Sequence, residues 1–190
     1  MTGVVHPGRI LRNNTCQVGD QIILTKPLGV GMVTVAYRLG EASTESYVQA
    51  VGHMQTLNKY AMEAARPFRL HACTDVTGFG FLGHLNEMVT PEYSIRVTAD
   101  RVPFLPEARR LAEAFLVTAG GLKNRKFAGG KVEFRNIDTA TEEIFFDPQT
   151  SGGLLMSVHP RDAEAVLAAL DGAAIVGEVV ARGAWDVIVE

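Results

Sequence analysis

Residues His71–Met88 read HACTDVTGFGFLGHLNEM. Within them, Gly78-Phe79-Gly80-Phe81-Leu82-Gly83 satisfies G-x-G-x-x-G, follows an apolar run and opens a helical one. If these glycines cradled a pyrophosphate, the chain would be a dinucleotide-binding oxidoreductase domain of the NAD type. Asp100, about 20 residues on, would then be the ribose-binding acid. Asp75 opposes that reading. It stands in the same turn, where a carboxylate repels a pyrophosphate unless a cation lies between them. The motif also falls in mid-chain behind two helices, not in a first β-α-β unit. Asp75 is therefore the more informative residue.

A carboxylate at the C-terminal end of a strand, just before a helix, suits a hard cation. Magnesium takes one or two protein carboxylates and completes its shell with water and phosphate oxygens. Gly78 and Gly80 would let backbone approach such a phosphate, and Thr77 offers a hydroxyl two residues from Asp75. The competing structural reading makes Asp75 the cap of the following helix. One acid alone is an incomplete magnesium site, and no second acid stands beside it. A second loop, FFDPQTSGGLLMSV, raises the same question. Asp147-Pro148 initiates a turn, and Thr150-Ser151-Gly152-Gly153 reads either as a nest of backbone N–H groups for an anion or as a plain connection. Lys26, before Pro27, is a phosphate contact or a solvated strand end. Lys123, Arg125 and Lys126 read as a solvated basic loop.

Strands and helices interleave along the rest of the chain. Gln21–Lys26, Leu70–Thr74, Tyr93–Ala99, Lys131–Phe134, Leu154–Val158, Ala174–Val180 and Asp186–Val189 read as strands. Gly29–Leu39, Phe79–Val89 and Pro160–Leu170 read as helices. A long helix from Ser43 or Thr44 to Ala65 would bury Tyr47, Val51, Met54, Ala61 and Ala65, and Pro67 stops it. A helix from Pro106 would bury Ala108, Leu111, Ala112 and Phe115. Ala119–Gly130 reads as a loop. The first twenty residues hold no convincing element. The pattern predicts helices packed on a mixed sheet.

With 190 residues the chain fits one domain, large enough to bury roughly 70% of its unfolded surface without staples. A net charge of -3 argues against a dedicated nucleic-acid binder. No apolar run of about 18 residues predicts a membrane span, and Met1–Gly8 has no secretory pattern. Cys16 and Cys73 are far apart and in no C-x-x-C pair, as expected of two reduced thiols in a cytoplasmic protein. The five histidines form no metal motif and read as structural.

Together LTKPLGVGM, TDVTGFGFLGHL and DPQTSGGLLMSV resemble the C-terminal half of the selenophosphate synthetase (selenide, water dikinase) family. The three motifs keep the family order over residues 24–158, and VHPGRILRNNT resembles the segment joining the two halves. The resemblance implies an α+β fold: a three-layer α/β/α sandwich with a mixed sheet, the C-terminal domain type of the aminoimidazole ribonucleotide synthetase superfamily. Residues 1–15 would be an entering linker and 16–190 a single domain. The full enzyme would turn ATP, selenide and water into selenophosphate, AMP and phosphate with magnesium, as a homodimer. Asp75 would be a magnesium ligand and the Thr77 hydroxyl would lie near the nucleotide phosphates; on the reading of the loops above, Gly78 and Gly80 would adjoin those phosphates and Thr150–Gly153 would line the cleft. The remaining carboxylates and the reactive Cys or selenocysteine with its Lys would lie in an absent N-terminal domain. This chain would then hold no catalytic nucleophile and be inactive alone, or serve only as a buttress. One departure stands out: a family loop resembling PGGTRRN is here AGGLKNRKF (Ala119–Phe127), with Leu122 in place of Thr.

Overall fold

A computed structural model describes residues 4–190. The chain runs β1 (Gln21–Leu24), α1 (Val30–Arg38), α2 (Thr44–Gln55), α3 (Asn58–Ala65), β2 (Leu70–Asp75), α4 (Gly80–Met88), β3 (Tyr93–Val97), α5 (Ala108–Glu113), α6 (Ala119–Ala128), β4 (Val132–Phe134), α7 (Thr139–Phe146), β5 (Leu154–Val158), α8 (Ala163–Ala168), β6 (Ala174–Ala181) and β7 (Val187–Val189). The strands form one sheet in the order β2-β5-β1-β6-β3-β7-β4. From β2 to β3 each neighbouring pair is antiparallel, while β3-β7 and β7-β4 are parallel. The sheet is mixed and the fold is α+β, as the sequence predicts.

Period-two alternation divides the core. Ile22, Leu24, Leu155 and Val176 face a large layer with Met32, Leu85, Leu111 and Phe145 from α1, α4, α5 and α7. Ile23, Met156 and Val158 face the other way, against Ala65 of α3 and Val166 of α8. The sheet thus lies between two helical layers. The smaller layer stops short of β3, where Arg96 pairs with Glu178 of β6 across a polar surface. No described helix is long and apolar enough to cross a membrane.

Topology removes the dinucleotide reading. That reading needs a parallel β-α-β crossover, but three strands separate β2 from β3, and β2 lies at the sheet edge. Residues before β1 run beside that edge. Cys73 N–H donates to Arg12 O at 2.9 Å, and the Thr15 hydroxyl donates to His71 O. Asp20, buried, accepts from Ser157 Oγ at 2.6 Å and pairs with His71 Nδ1 at 2.8 Å. The only regular element among described residues there is one 3-10 turn, Pro7–Arg9.

Three expectations need correction. The long helix is two, because Thr56 and Leu57 are extended (ψ 119 and 129) and the Thr56 carbonyl accepts from Lys26 Nζ at 2.7 Å. Of the face assigned to it only Ala65 is buried, while Ser46 and Ala50 take α2 to the core. Ala119–Gly130 is largely helical: α6 follows Thr118, whose Oγ1 accepts from Gly121 N–H at 3.0 Å as a cap does. Phe115 is 78% exposed because α5 ends at Glu113 and the chain turns left-handed at Phe115 (φ 58). Helix α7 has no counterpart in the sequence reading. Asp138 caps it, accepting from Thr141 N–H at 3.1 Å.

Candidate functional site

Asp75 is the last residue of β2 and pairs across to Leu154, the first of β5. Beyond β5 lies β1, which ends close to Lys26. Neighbouring strands run oppositely, so the loop entering β5 sits between the outgoing ends of β2 and β1. Val76 N–H donates to Gly153 O at 2.8 Å, and Leu154 N–H donates to Thr25 Oγ1, also at 2.8 Å.

The two glycine loops meet there. Gln149 N–H donates to Thr77 O at 3.0 Å. A Cβ on Gly152 would overlap Val76 O, and one on Gly153 would lie 2.6 Å from Lys26 N. Those two glycines are needed for close approach. Gly80 has φ 71, and a Cβ there would lie 2.7 Å from Phe146 O. Gly78 is exposed and has open space around it. Asn124 of α6 ties both loops together, donating to Gly78 O (2.8 Å) and Phe146 O (2.9 Å). The segment that departs from the family pattern is therefore part of this wall, with Leu122 exposed and Phe127 stacked on Phe79 at 5.8 Å.

The Asp75 side chain is exposed, with no hydrogen bond to its carboxylate among the described residues. It does not cap α4, whose N-cap is Phe79 with no side-chain bond. Thr77 is half-buried, and its Oγ1 lies 3.1 Å from His84 Nε2. Thr150 and Ser151 are exposed, Gly152 and Gly153 buried, and Ser151 is left-handed (φ 49). The backbone N–H groups of these four residues meet no backbone acceptor among the described residues. Their carbonyls are used instead: Ser151 O accepts from Lys26 Nζ at 2.8 Å and Gly152 O from Asn58 Nδ2 at 2.9 Å.

Lys26 is thus no solvated strand end. It is 5% exposed, bridges two carbonyls, and burial draws its pKa down. Arg125 is not a solvated loop residue either. It pairs with Glu142 at 2.7 Å and Glu143 at 3.0 Å and lies over the Phe146 ring. Lys123 and Lys126 are exposed.

The sequence reading passed over Asp147 as a turn starter. Its carboxylate is wholly buried and accepts from Met32 N–H (3.1 Å), Thr118 Oγ1 (3.1 Å) and Gln149 Nε2 (3.3 Å). Burial pushes its pKa up to about 7, against the pull of those donors. Gly31 makes room for it, since a Cβ there would lie 2.6 Å from Oδ1. The small residues opening α1 were the available signal: they accommodate an acid 115 positions further on. His84 was also passed over. Neither thiol is poised to react: burial pushes Cys73 up to about 12, with the Asp75 charge adding, and raises Cys16 as well.

A magnesium ion fits this wall only as a shared ligand. The described residues hold no cluster of three or more His, Cys, Asp or Glu side chains. Asp75 offers a single free carboxylate, matching a cation that takes one acid from a given element and fills its shell with water and phosphate oxygens.

The family described as AIR synthase related protein, C-terminal domain, matches residues 17–190. The chain belongs to that family. A protein of Desulfitobacterium hafniense (strain Y51) named selenide, water dikinase is 45% identical over 99% of this chain and 56% of its own length. One of the same name from Agathobacter rectalis is 47% identical over 95% of this chain and 53% of its own. The chain therefore spans little more than half the length of the curated relatives it matches. Among solved structures, thiamine-monophosphate kinase from Stenotrophomonas maltophilia K279a superposes with a TM-score of 0.66 at 20% identity, covering 98% of this chain and 54% of that one. At that identity the likeness supports the fold.

Proposed function

We propose that this chain is the C-terminal domain of a selenophosphate synthetase and supplies one wall of its phosphoryl-transfer site. The observation that carries the reading is Asp75: a free, exposed carboxylate at a strand end, between two interlocked glycine loops. The identity to relatives named selenide, water dikinase supports the substrates, ATP, selenide and water. Asp75 would hold magnesium, which when bound neutralises charge developing on the transferred phosphoryl group. Gly78 leaves backbone open beside it, whereas Gly80 packs against Phe146 O and would act by holding the turn. Thr150–Gly153 would offer an anion N–H groups that meet no backbone acceptor among the described residues, with the Lys26 ammonium on the Ser151 carbonyl. Residues 1–15 fit a joining segment, since part of that stretch hugs the edge of β2. The family resemblance extends the reading to a cytoplasmic homodimer of the full-length enzyme.

The incomplete site also motivates a second reading, in which the domain only buttresses a catalytic partner and contributes no ligand. One experiment separates the two. The N-terminal half is expressed separately and mixed with this chain, and selenide-dependent AMP release from magnesium–ATP is followed. Turnover should appear only in the mixture and fall about 100-fold or more with Asp75→Asn, the scale on which charge-stabilising groups act. Full turnover with Asp75→Asn would leave the buttress reading in place. A formed complex without turnover would remove the reaction and keep the fold.

A further inference from the structure

Behind Thr77 lies a chain of groups that the proposed site does not use. Thr77 Oγ1 is 3.1 Å from His84 Nε2, and His84 Nδ1 is 3.2 Å from Glu87 Oε2. The His84 side chain is 7% exposed and that of Glu87 42%. The order is hydroxyl, imidazole, carboxylate, the arrangement that elsewhere activates an alcohol or a water. For a neutral imidazole beside an ionised carboxylate its bonding has one consistent polarity. An ionised carboxylate only accepts, so Nδ1 carries the proton toward Glu87. In the neutral imidazole Nε2 is then the acceptor, and the Thr77 hydroxyl donates to it. With its proton given to His84, the half-buried Thr77 hydroxyl keeps its lone pairs to accept from a donor. A phosphoryl oxygen is no donor. A water is.

We infer that Thr77, His84 and Glu87 form a proton relay from the Asp75 side of the cleft to bulk solvent, serving a water bound beside Thr77. As that water attacks, its O–H bond breaks and the proton passes to Thr77 Oγ1. Thr77 gives its own proton to His84 Nε2, and His84 gives its Nδ1 proton to Glu87, which is open to solvent. Each group ends with as many protons as it began with, except Glu87, which gains the one the water lost. The assignment rests on the reading of the site above, whose reaction consumes water. The polarity of the hydrogen bonds does not depend on it. Sequence spacing supports the geometry: His84 and Glu87 are three apart on α4, on one face, while Thr77 lies in the loop before α4 and its carbonyl accepts from Gly80 N–H at 3.1 Å.

The test has two arms. In the first, long-range proton–nitrogen correlation on this chain reads the His84 tautomer, assigned by the signal lost in His84→Gln. The relay requires Nδ1–H with a bare Nε2, and Glu87→Gln should disturb that ratio. A proton fixed on Nε2 overturns it. In the second, the two-half mixture is assayed with Glu87→Gln, a solvent-facing change that spares the fold, and with His84→Ala. Glu87→Gln should lower turnover roughly 100-fold with little change in KM for ATP, the usual scale for a general base. His84→Ala should regain part of its rate with added imidazole, which a packing defect would not. If Asp75→Asn abolishes turnover while both relay variants keep it, the relay falls and the site stands. If the wild-type mixture is inactive, the reaction falls, and the tautomer alone upholds or overturns the hydrogen-bond chain.

Discussion

Asp75 and Asp147 stand at matching places in the sequence, each opening a glycine loop at the end of an element, yet they do opposite things. Asp75 is exposed at the end of β2, its carboxylate unpartnered among the described residues. Asp147 is wholly buried and takes donors from α1, Thr118 and Gln149. Solvation separates them. A carboxylate in water costs nothing to leave free, whereas one out of water must be paired or must give up its charge. The free acid is available to a ligand, and the buried acid fixes the loop against which that ligand would lie.

Alanine at the two positions should therefore have very different consequences. Asp147→Ala leaves the Met32 N–H and the Thr118 hydroxyl without an acceptor in a dry place, and should cost about 3 kcal/mol or more in denaturant unfolding. An equal loss with Asp75→Ala would end the contrast. Lys26→Met strips the donor from the Thr56 and Ser151 carbonyls and should cost about 1–3 kcal/mol, with faster proteolysis at the α2–α3 joint.

Acid titration sharpens the same contrast. The folded pKa of Asp147, about 7, lies above the value of about 4 for a free carboxyl. Between those values the folded chain holds a proton that the unfolded chain has lost, so this group's contribution to stability declines as pH rises toward 7 and is fully present only below about 4. Wild type should lose more melting temperature between pH 5 and 8 than Asp147→Asn does. Identical slopes would show that Asp147 is ionised throughout. The smallest effects belong to the open side: Asp75→Ala and Gly78→Ala should each stay within about 0.5 kcal/mol of wild type. Gly80→Ala, forced at φ 71 against Phe146 O, should cost clearly more.

What was legible in the sequence had local causes. β1 and β5 are short apolar runs between turn signals; β5 keeps its expected bounds, and β1 ends at Leu24, two residues before the expected Lys26. Asp75 was legible because a carboxylate before a glycine turn is unusual on its own terms. The errors had distant causes. Nothing between Gln55 and Asn58 breaks a helix locally; the break is held by Lys26, 30 positions upstream in the chain. Gly120, Gly121 and three nearby basic residues read as loop. They form a helix because Thr118 caps it, Gly120 lies against Pro148, and Asn124 anchors it to two carbonyls. Asp147 was misread for the same reason: its burial is decided by α1 and by Thr118, not by its neighbours.

The contacts that close this wall also bear on the order in which the chain folds. Lys26 reaches Ser151 across 125 positions, Leu154 reaches Thr25 across 129, and Met32 reaches Asp147 across 115. Closing spans of that length costs entropy, and the sheet beside the wall closes equal ones, with Gln21 paired to Val158. The wall and the β1–β5 pairing beside it should therefore form late and together, after local elements such as α4. A chain stalled on the way would expose Asp75 without its flanking loop. On the function proposed above, nucleotide capture would then be denied to incomplete molecules by the timing of folding itself.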